Sequence, residues 1–293
     1  MNIDDAVRLP LDHLMICASD WRVGRNLYER LGFTLTPLRK NAPMGGSDGA
    51  EGGSQLIMLG GGNGEILNYL EISTAVPESA APLMRRILNH DGPAMMVHFS
   101  EQITKVSEAW ADLGVNVHRF EAAFPSSGSL GGGRFEIAVA DPRSVPLQLN
   151  VVHSEDRNGY LDPDWQAHKN GALAWRDVYC VIPDAKFDSV VKRHSQLVSI
   201  EPVVDECEAI FDAGPVDIRL LTASKAEIVW QAIRFESRAN PYIAGLRITV
   251  RDLSALEGLL LSSGINYAHG NEEILIGPQE AVGGVIVFSE EIS

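Results

Sequence analysis

One pattern constrains this chain more than any other feature: a short unit of strand, acidic residue, amphipathic helix and further strands occurs four times. The copies run from Leu11 to Thr36, Ala94 to Phe120, Asp177 to Val203 and Gly245 to Ala268. Their starts lie about 80, 80 and 70 residues apart. Asp20, Glu101, Asp184 and Asp252 stand just ahead of the helices, where a carboxylate caps the helix and meets the positive end of its dipole. Apolar residues are spaced along one helical face, as in Val23, Leu27 and Leu31, or Val106, Trp110 and Leu113. Gly32, Gly114 and Gly264 fall where a left-handed C-cap belongs. The third copy has Gln196-Leu197 there and is the weakest match.

More strand-like runs follow each helix: SQLIML and LNYLEIS, RFEIAVA and PLQLNVV, AIFDA, VDIRLLT and AEIVWQAI, EILIG and GVIVFSE. The expected fold is therefore α+β, four βαβββ modules. Such a module carries its helix on one face of a curved sheet and needs a partner for the other. Pairing modules creates a cleft between them, where a small ligand fits. Four modules make two domains, expected over residues 1–155 and 172–293, with a polar linker at about 156–171.

The chain has 24 basic against 39 acidic residues, a formal charge of −15. That argues against nucleic acid or an anionic membrane surface as partner, and leaves a small-molecule substrate. The three cysteines, Cys17, Cys180 and Cys207, are far apart, so neither a cysteine-only zinc site nor a disulfide scaffold is expected. The first residues read as no signal peptide, and no apolar run approaches about 18 residues, so the cytoplasm is the expected compartment. Open sheet edges leave room for a homodimer.

LDHLMICASDWRVGRNLYERLGF, LNYLEIS and the junction DPDWQAHKNGAL together resemble the vicinal oxygen chelate superfamily and its glyoxalase-like domain proteins. The resemblance implies a divalent metal held by side chains from the first and fourth strands of paired modules. It also implies a substrate that chelates the metal through neighbouring oxygens. The activities it implies are isomerisation, epimerisation, ring-opening dioxygenation and thiol addition; metal-free members simply bind small molecules. His13 matches the family's first-strand ligand and Glu71 its fourth-strand ligand. An imidazole with a carboxylate suits zinc, nickel, iron(II) or manganese. In the second copy the first-strand slot falls on Ala94; His98, four residues on, either reaches the cleft from the same face or is an ordinary buried histidine. The fourth-strand slot falls near Gln148 or Asn150, with Gln148 the better alignment. A His13, His98 and Glu71 set would be the facial triad of non-haem iron enzymes. Four-module extradiol dioxygenases carry their triad in the second half. Here those slots hold Asp177, Ala244 or Leu246, and the neighbourhood of Phe288 and Glu290, so the second half reads as a scaffold.

His153, at the end of PLQLNVV, is the candidate general base, with an intrinsic pKa of about 6.5; the other reading is a junction histidine holding a loop. Trp165, His168 and Asn170 are expected to pin the linker. The glycine-rich stretch Gly45 to Gly64 lacks a P-loop or dinucleotide fingerprint and reads as a loop at the cleft mouth, with Gly128 to Phe135 its counterpart. Arg39 and Arg134, beside these loops, are candidate substrate-carboxylate contacts. The function that follows is a metal-dependent lyase or isomerase on a small oxygen-rich metabolite. The alternatives are a metal-free binding protein of the same fold, or a ring-cleaving dioxygenase if the metal is iron.

Overall fold

A computed structural model describes residues 8–40, 53–60, 68–74, 83, 87, 90–124, 133–154, 162–233, 235 and 237–291. Most of the glycine-rich loop at 45–64, the loop at 128–132 and the first part of the linker lie outside the described residues.

The first module comprises β1 (Leu11–Ala18), α1 (Trp21–Arg30), β2 (Arg39–Lys40), β3 (Gly53–Leu59) and β4 (Asn68–Thr74). The second comprises β5 (Gly92–Phe99), α2 (Ile103–Asp112), β6 (Val117–Phe124), β7 (Gly133–Ala140) and β8 (Leu149–Ser154). A short helix α3 (Pro163–Gln166) leads into the third, with β9 (Ala172–Ile182), α4 (Phe187–Val198), β10 (Val203–Val204), β11 (Glu208–Asp212) and β12 (Asp217–Thr222). After α5 (Ala223–Val229) comes the fourth, with β13 (Tyr242–Val250), α6 (Leu253–Ser262), β14 (Ala268–His269), β15 (Glu273–Ile276) and β16 (Val285–Glu290). AEIVWQAI, read as a strand, is instead the helix α5 and the turn after it.

Each pair of modules makes one eight-stranded sheet, ordered β2-β3-β4-β1-β5-β8-β7-β6 and β10-β11-β12-β9-β13-β16-β15-β14. Within each module the last strand lies parallel to the first, and the modules join through the antiparallel pairs β1–β5 and β9–β13. The architecture is therefore two glyoxalase/dioxygenase-like domains of identical strand order.

The helix ends follow local chemistry. Asp20 accepts from the Arg22 amide and Asp252 from the Ala255 amide, capping α1 and α6. Glu101 does not cap: Gln102 holds the N-cap of α2, and its amide donates to Ser100 Oγ. Asp184 instead opens a 3₁₀ turn and accepts from the amide and hydroxyl of Ser224. Helix α4 ends on Ser199, which takes the left-handed conformation at φ 55° that glycine holds in the other copies.

The helix-bearing faces of the two sheets share one apolar core. Phe33 of the first half lies 6.1 Å ring to ring from Phe288 of the second. Across the same layer the Trp110 indole donates to the Leu197 carbonyl at 2.8 Å, and the Leu9 amide to the Val198 carbonyl at 3.2 Å. The linker is pinned to the first module. The Thr34 amide donates to His168 Nδ1, His168 Nε2 meets the Met58 carbonyl, and Asn170 Nδ2 donates to the Leu31 carbonyl.

Two histidines are sealed in this layer. His98 is fully buried on β5, with Nδ1 2.9 Å from the Leu9 carbonyl and Nε2 unpartnered among the described residues. His194 on α4 is equally buried, edge-on to Phe211, with neither ring nitrogen partnered among the described residues. Burial pushes His98 down to about 4, with the nearby His13 adding to the fall against its backbone contacts and Asp12. Burial, with His98 beside it, pushes His194 down to about 3. At these two sites the unfolded chain therefore binds more protons than the folded one below about pH 6.5, and the stability they contribute above that pH drains away as it falls toward these values. Urea unfolding at about pH 7.5 and about pH 5 should show a loss about 2 kcal/mol smaller in His194→Leu than in wild type. Equal losses would show that His194 does not set the acid limit.

Candidate functional site

The site follows from strand register. His13 pairs with Tyr69 on β4 and with Val97 on β5, and Val97 pairs with Asn150 on β8. One step along, Met15 pairs with Glu71 and with Met95. Alternation sends His13, Met15 and Cys17 to the concave face, away from the helices. There Met15, Cys17, Met95, Val97, Phe135 and Val152 form an apolar floor.

His13 is 6 % exposed and held from three sides. Its Nδ1 is 2.6 Å from Asp12 Oδ1, and its Nε2 3.4 Å from Glu71 Oε2. Tyr69 stacks on the ring, centroids 4.4 Å apart and planes within 14°. Ser73 Oγ reaches Glu71 Oε1 at 3.5 Å. Burial alone would lower the His13 pKa, but the hydrogen bonds and charges of Asp12 and Glu71 outweigh it, and the net shift is upward. Each ring nitrogen thus faces one carboxylate oxygen.

Asp12 reaches the ring because the ladder slips there. Leu11 pairs with His98 and His13 with Val97, so Asp12 is an extra residue on β1. Asn68 Nδ2 holds the distortion through the carbonyls of Leu11 and Asp12, at 2.8 and 3.3 Å. Asp12, Tyr69 and Asn68 were not singled out in the sequence; a carboxylate beside the candidate ligand was the one available signal.

The other expected site residues are placed differently from one another. Gln148 is on the concave side, next to the Met95–Met96 step of β5, as Glu71 is beside Met15. Its Nε2 donates to the Ala140 carbonyl at 2.8 Å, and its buried Oε1 has no partner among the described residues. His98 does not join this group. A second slip, between the pairs Met15–Met95 and Ile16–Pro93, makes Ala94 an extra residue. That reverses the alternation and turns His98 to the helix-bearing face. His153 is likewise not brought to the cleft: Val152 faces the floor, so His153 points the other way, its ring 6.0 Å from Phe99. Arg134 alternates with the inward Phe135 and lies exposed beside Glu121 at 3.3 Å. Arg39 sits on the edge strand β2, paired with Ser54. A wall residue comes from the linker: Trp165 packs on Leu56, Met58 and Tyr69.

The second cleft is built on the same slots with different chemistry. Asp177 precedes Asp184 by the same interval as His13 precedes Asp20, and Tyr179 pairs with Arg219 as Met15 pairs with Glu71. An aspartate and an arginine thus replace histidine and glutamate. Arg219 Nε is 2.8 Å from Asp177 Oδ1 and its Nη1 2.9 Å from Glu208. Arg247 Nε is 2.9 Å from Asp177 Oδ2 and its Nη1 2.8 Å from Glu273. In the fourth module the His13 slot is Gly245, where a Cβ would sit 2.2 Å from the Val285 carbonyl oxygen. Above the ion pairs lies an open cavity of about 550 Å³ bordered by Arg176, Asp217 and Thr249.

Nε2 of His13 and Oε2 of Glu71 fit two ligands of one first-row ion. Bonds of about 2.0–2.1 Å at a tetrahedral angle place two donor atoms ~3.4 Å apart. Gln148 Oε1, without a partner among the described residues, and Asn150 Oδ1 are further oxygen acceptors beside β5. Among the described residues no three of His, Cys, Asp and Glu converge on one point, so the donor set is short.

A family model described as "Glyoxalase-like domain" matches residues 11–198. The chain belongs to this glyoxalase-like family. No curated protein matches its sequence. Among solved structures, a hypothetical protein from Staphylococcus aureus superimposes with TM-score 0.64 at 9 % identity, over 97 % of this chain and 100 % of that one. Homoprotocatechuate 2,3-dioxygenase from Arthrobacter globiformis gives 0.59 at 11 % identity, over 97 % of this chain and 80 % of that one. A mutant of 4-hydroxymandelate synthase from Streptomyces coelicolor gives 0.56 at 12 %, over 98 % and 95 %. The glyoxalase-like chain thus has the vicinal oxygen chelate fold, shared with dioxygenases. Among its described residues no helix is long and apolar enough to cross a membrane.

The contrast between the clefts predicts a structural role for Arg219. Arg219→Ala would leave Asp177 with Arg247 as its remaining partner and take the guanidinium from Glu208. It should lower the unfolding free energy by about 2 kcal/mol, the scale of lost hydrogen bonds to charged groups. A midpoint in denaturant unchanged from wild type would contradict this.

Proposed function

We propose that the first cleft binds one divalent cation on His13 and Glu71, with Gln148 as a further oxygen donor, and serves as a lyase or isomerase of small oxygen-rich metabolites. The observation that carries this is the 3.4 Å approach of His13 Nε2 and Glu71 Oε2, with Asp12 on the opposite ring nitrogen. When bound, such an ion supplies Lewis-acid stabilisation for negative charge developing on a substrate oxygen.

The chain's own residues do the rest. His13 and Glu71 present adjacent donor atoms from neighbouring strands, with no reorganisation of the sheet. Tyr69 fixes the plane of the imidazole by stacking. Met15, Met95, Val97 and Phe135 keep water from the floor and strengthen polar contacts made above it. Two protein ligands with a weak third leave coordination positions for neighbouring substrate oxygens. Ala94 in place of a fourth ligand favours a second reading, a metal-free binding protein, and the same experiment separates the two.

Elemental analysis of the purified protein, as isolated and after reconstitution with zinc, nickel, manganese or iron(II), should find about one ion per chain. A His13→Ala/Glu71→Ala variant, checked for folding by circular dichroism, should hold none. Since the ion must displace a proton from a ring whose pKa is raised, affinity should climb as pH rises. Bound iron with oxygen uptake on catechols would move the chemistry to ring cleavage. Absence of metal in reconstituted wild type would overturn the enzyme reading in favour of the binding protein.

A further inference from the structure

We propose that Asp12 is a positioning residue that fixes which nitrogen of His13 faces the reacting centre, and so sets the affinity of the site for its cation. The inference rests on His13 and Glu71 being the ligands.

An imidazole can offer either nitrogen, and the tautomer is settled by the hydrogen bond at the other one. Asp12 Oδ1, 2.6 Å from Nδ1, accepts the proton there and leaves Nε2 to Glu71 and the cleft. The carboxylate is 1 % exposed, so its charge is little screened. An anionic acceptor at Nδ1 also raises the basicity of Nε2 as a donor.

The arrangement is built rather than incidental. On a regular strand, residues 12 and 13 would point to opposite faces. The extra residue on β1 brings the two side chains together, and Asn68, 3 % exposed, spends both hydrogens of its amide on the carbonyls that define the slip. Tyr69 then blocks the ring from turning over. The third module supplies an internal control. Where Asp177 replaces the histidine, the preceding residue is Arg176, which is exposed and pairs with Glu291. The buried carboxylate accompanies the histidine and is missing where the histidine is missing.

The test is zinc binding by calorimetry to full-length wild type, Asp12→Asn and Asp12→Ala, with ¹H–¹⁵N correlation spectra of the His13 ring in the zinc-loaded proteins. Asp12→Asn keeps an acceptor but loses the charge and should bind about tenfold more weakly; Asp12→Ala loses both, for about a hundredfold. The wild-type ring should show Nδ1–H with Nε2 metal-bound, and Asp12→Ala a mixture. Melting temperatures without zinc separate a folding defect from a positioning one. If Asp12→Ala does not fold, Asp12→Asn decides alone: weaker binding at a near-native melting temperature supports the role. Wild-type affinity with an unaltered ring spectrum in the variants overturns it. Failure of the wild type itself to bind zinc or any other divalent ion sinks the ligand assignment instead.

Discussion

The parallel pairing of each module's last strand with its first governs the rest of the structure. A parallel return needs a connection that leaves the sheet and comes back. Here the helix lies on one face, and the remaining strands fan outward to the edge. That makes the two faces of each sheet unlike. The helix-bearing faces carry most of the apolar area and press together into a single core across the molecule. The opposite faces carry smaller apolar clusters and need only be lined. Chemistry is free to differ on the lined faces because most of the apolar core lies on the other side of each sheet.

This division explains how much could be read from the amino-acid order. Helices, C-caps and strands repeat because every module faces the same packing problem, so a 3.6-residue period is legible four times over and a capping glycine three times. Side-chain direction is less legible, because it depends on counting by two without error. A single extra residue defeats the count, and both slips in the β1–β5 pair do so at the site itself. Ala94 sends His98 into the inter-domain core, and Asp12 comes round to His13. Nothing in residue types marks those positions; they are settled by how β1 meets β5. His153 is another matter. It lies five residues after Gln148 in the run PLQLNVV and its sequel, which read as one strand, so alternation alone puts the two on opposite faces, and both were expected at the cleft.

Pinning of the linker was legible because His168 and Asn170 sit in a short polar run with few alternative uses. Its consequence for the site was not. His168 grips the Met58 carbonyl, and Trp165 is thereby laid on Tyr69, the ring that stacks on His13. A segment that belongs to neither sheet becomes part of the cleft wall, which no local pattern announces.

The two clefts solve one electrostatic problem in two ways. Each holds buried carboxylates on its concave face, and a buried carboxylate needs a positive partner. In the second cleft the partner is a guanidinium. Burial would lower the pKa of Arg219, but Asp177 and Glu208 carry it upward overall, so its charge is permanent. In the first cleft the partner is an imidazole between Asp12 and Glu71, which raise its affinity for a proton against the effect of burial. A proton can leave. When it does, two carboxylates and a neutral ring remain, and the divalent cation proposed for this cleft would restore the positive charge that Arg219 keeps in the other. The two domains share a strand order and differ in whether that single positive charge can be exchanged.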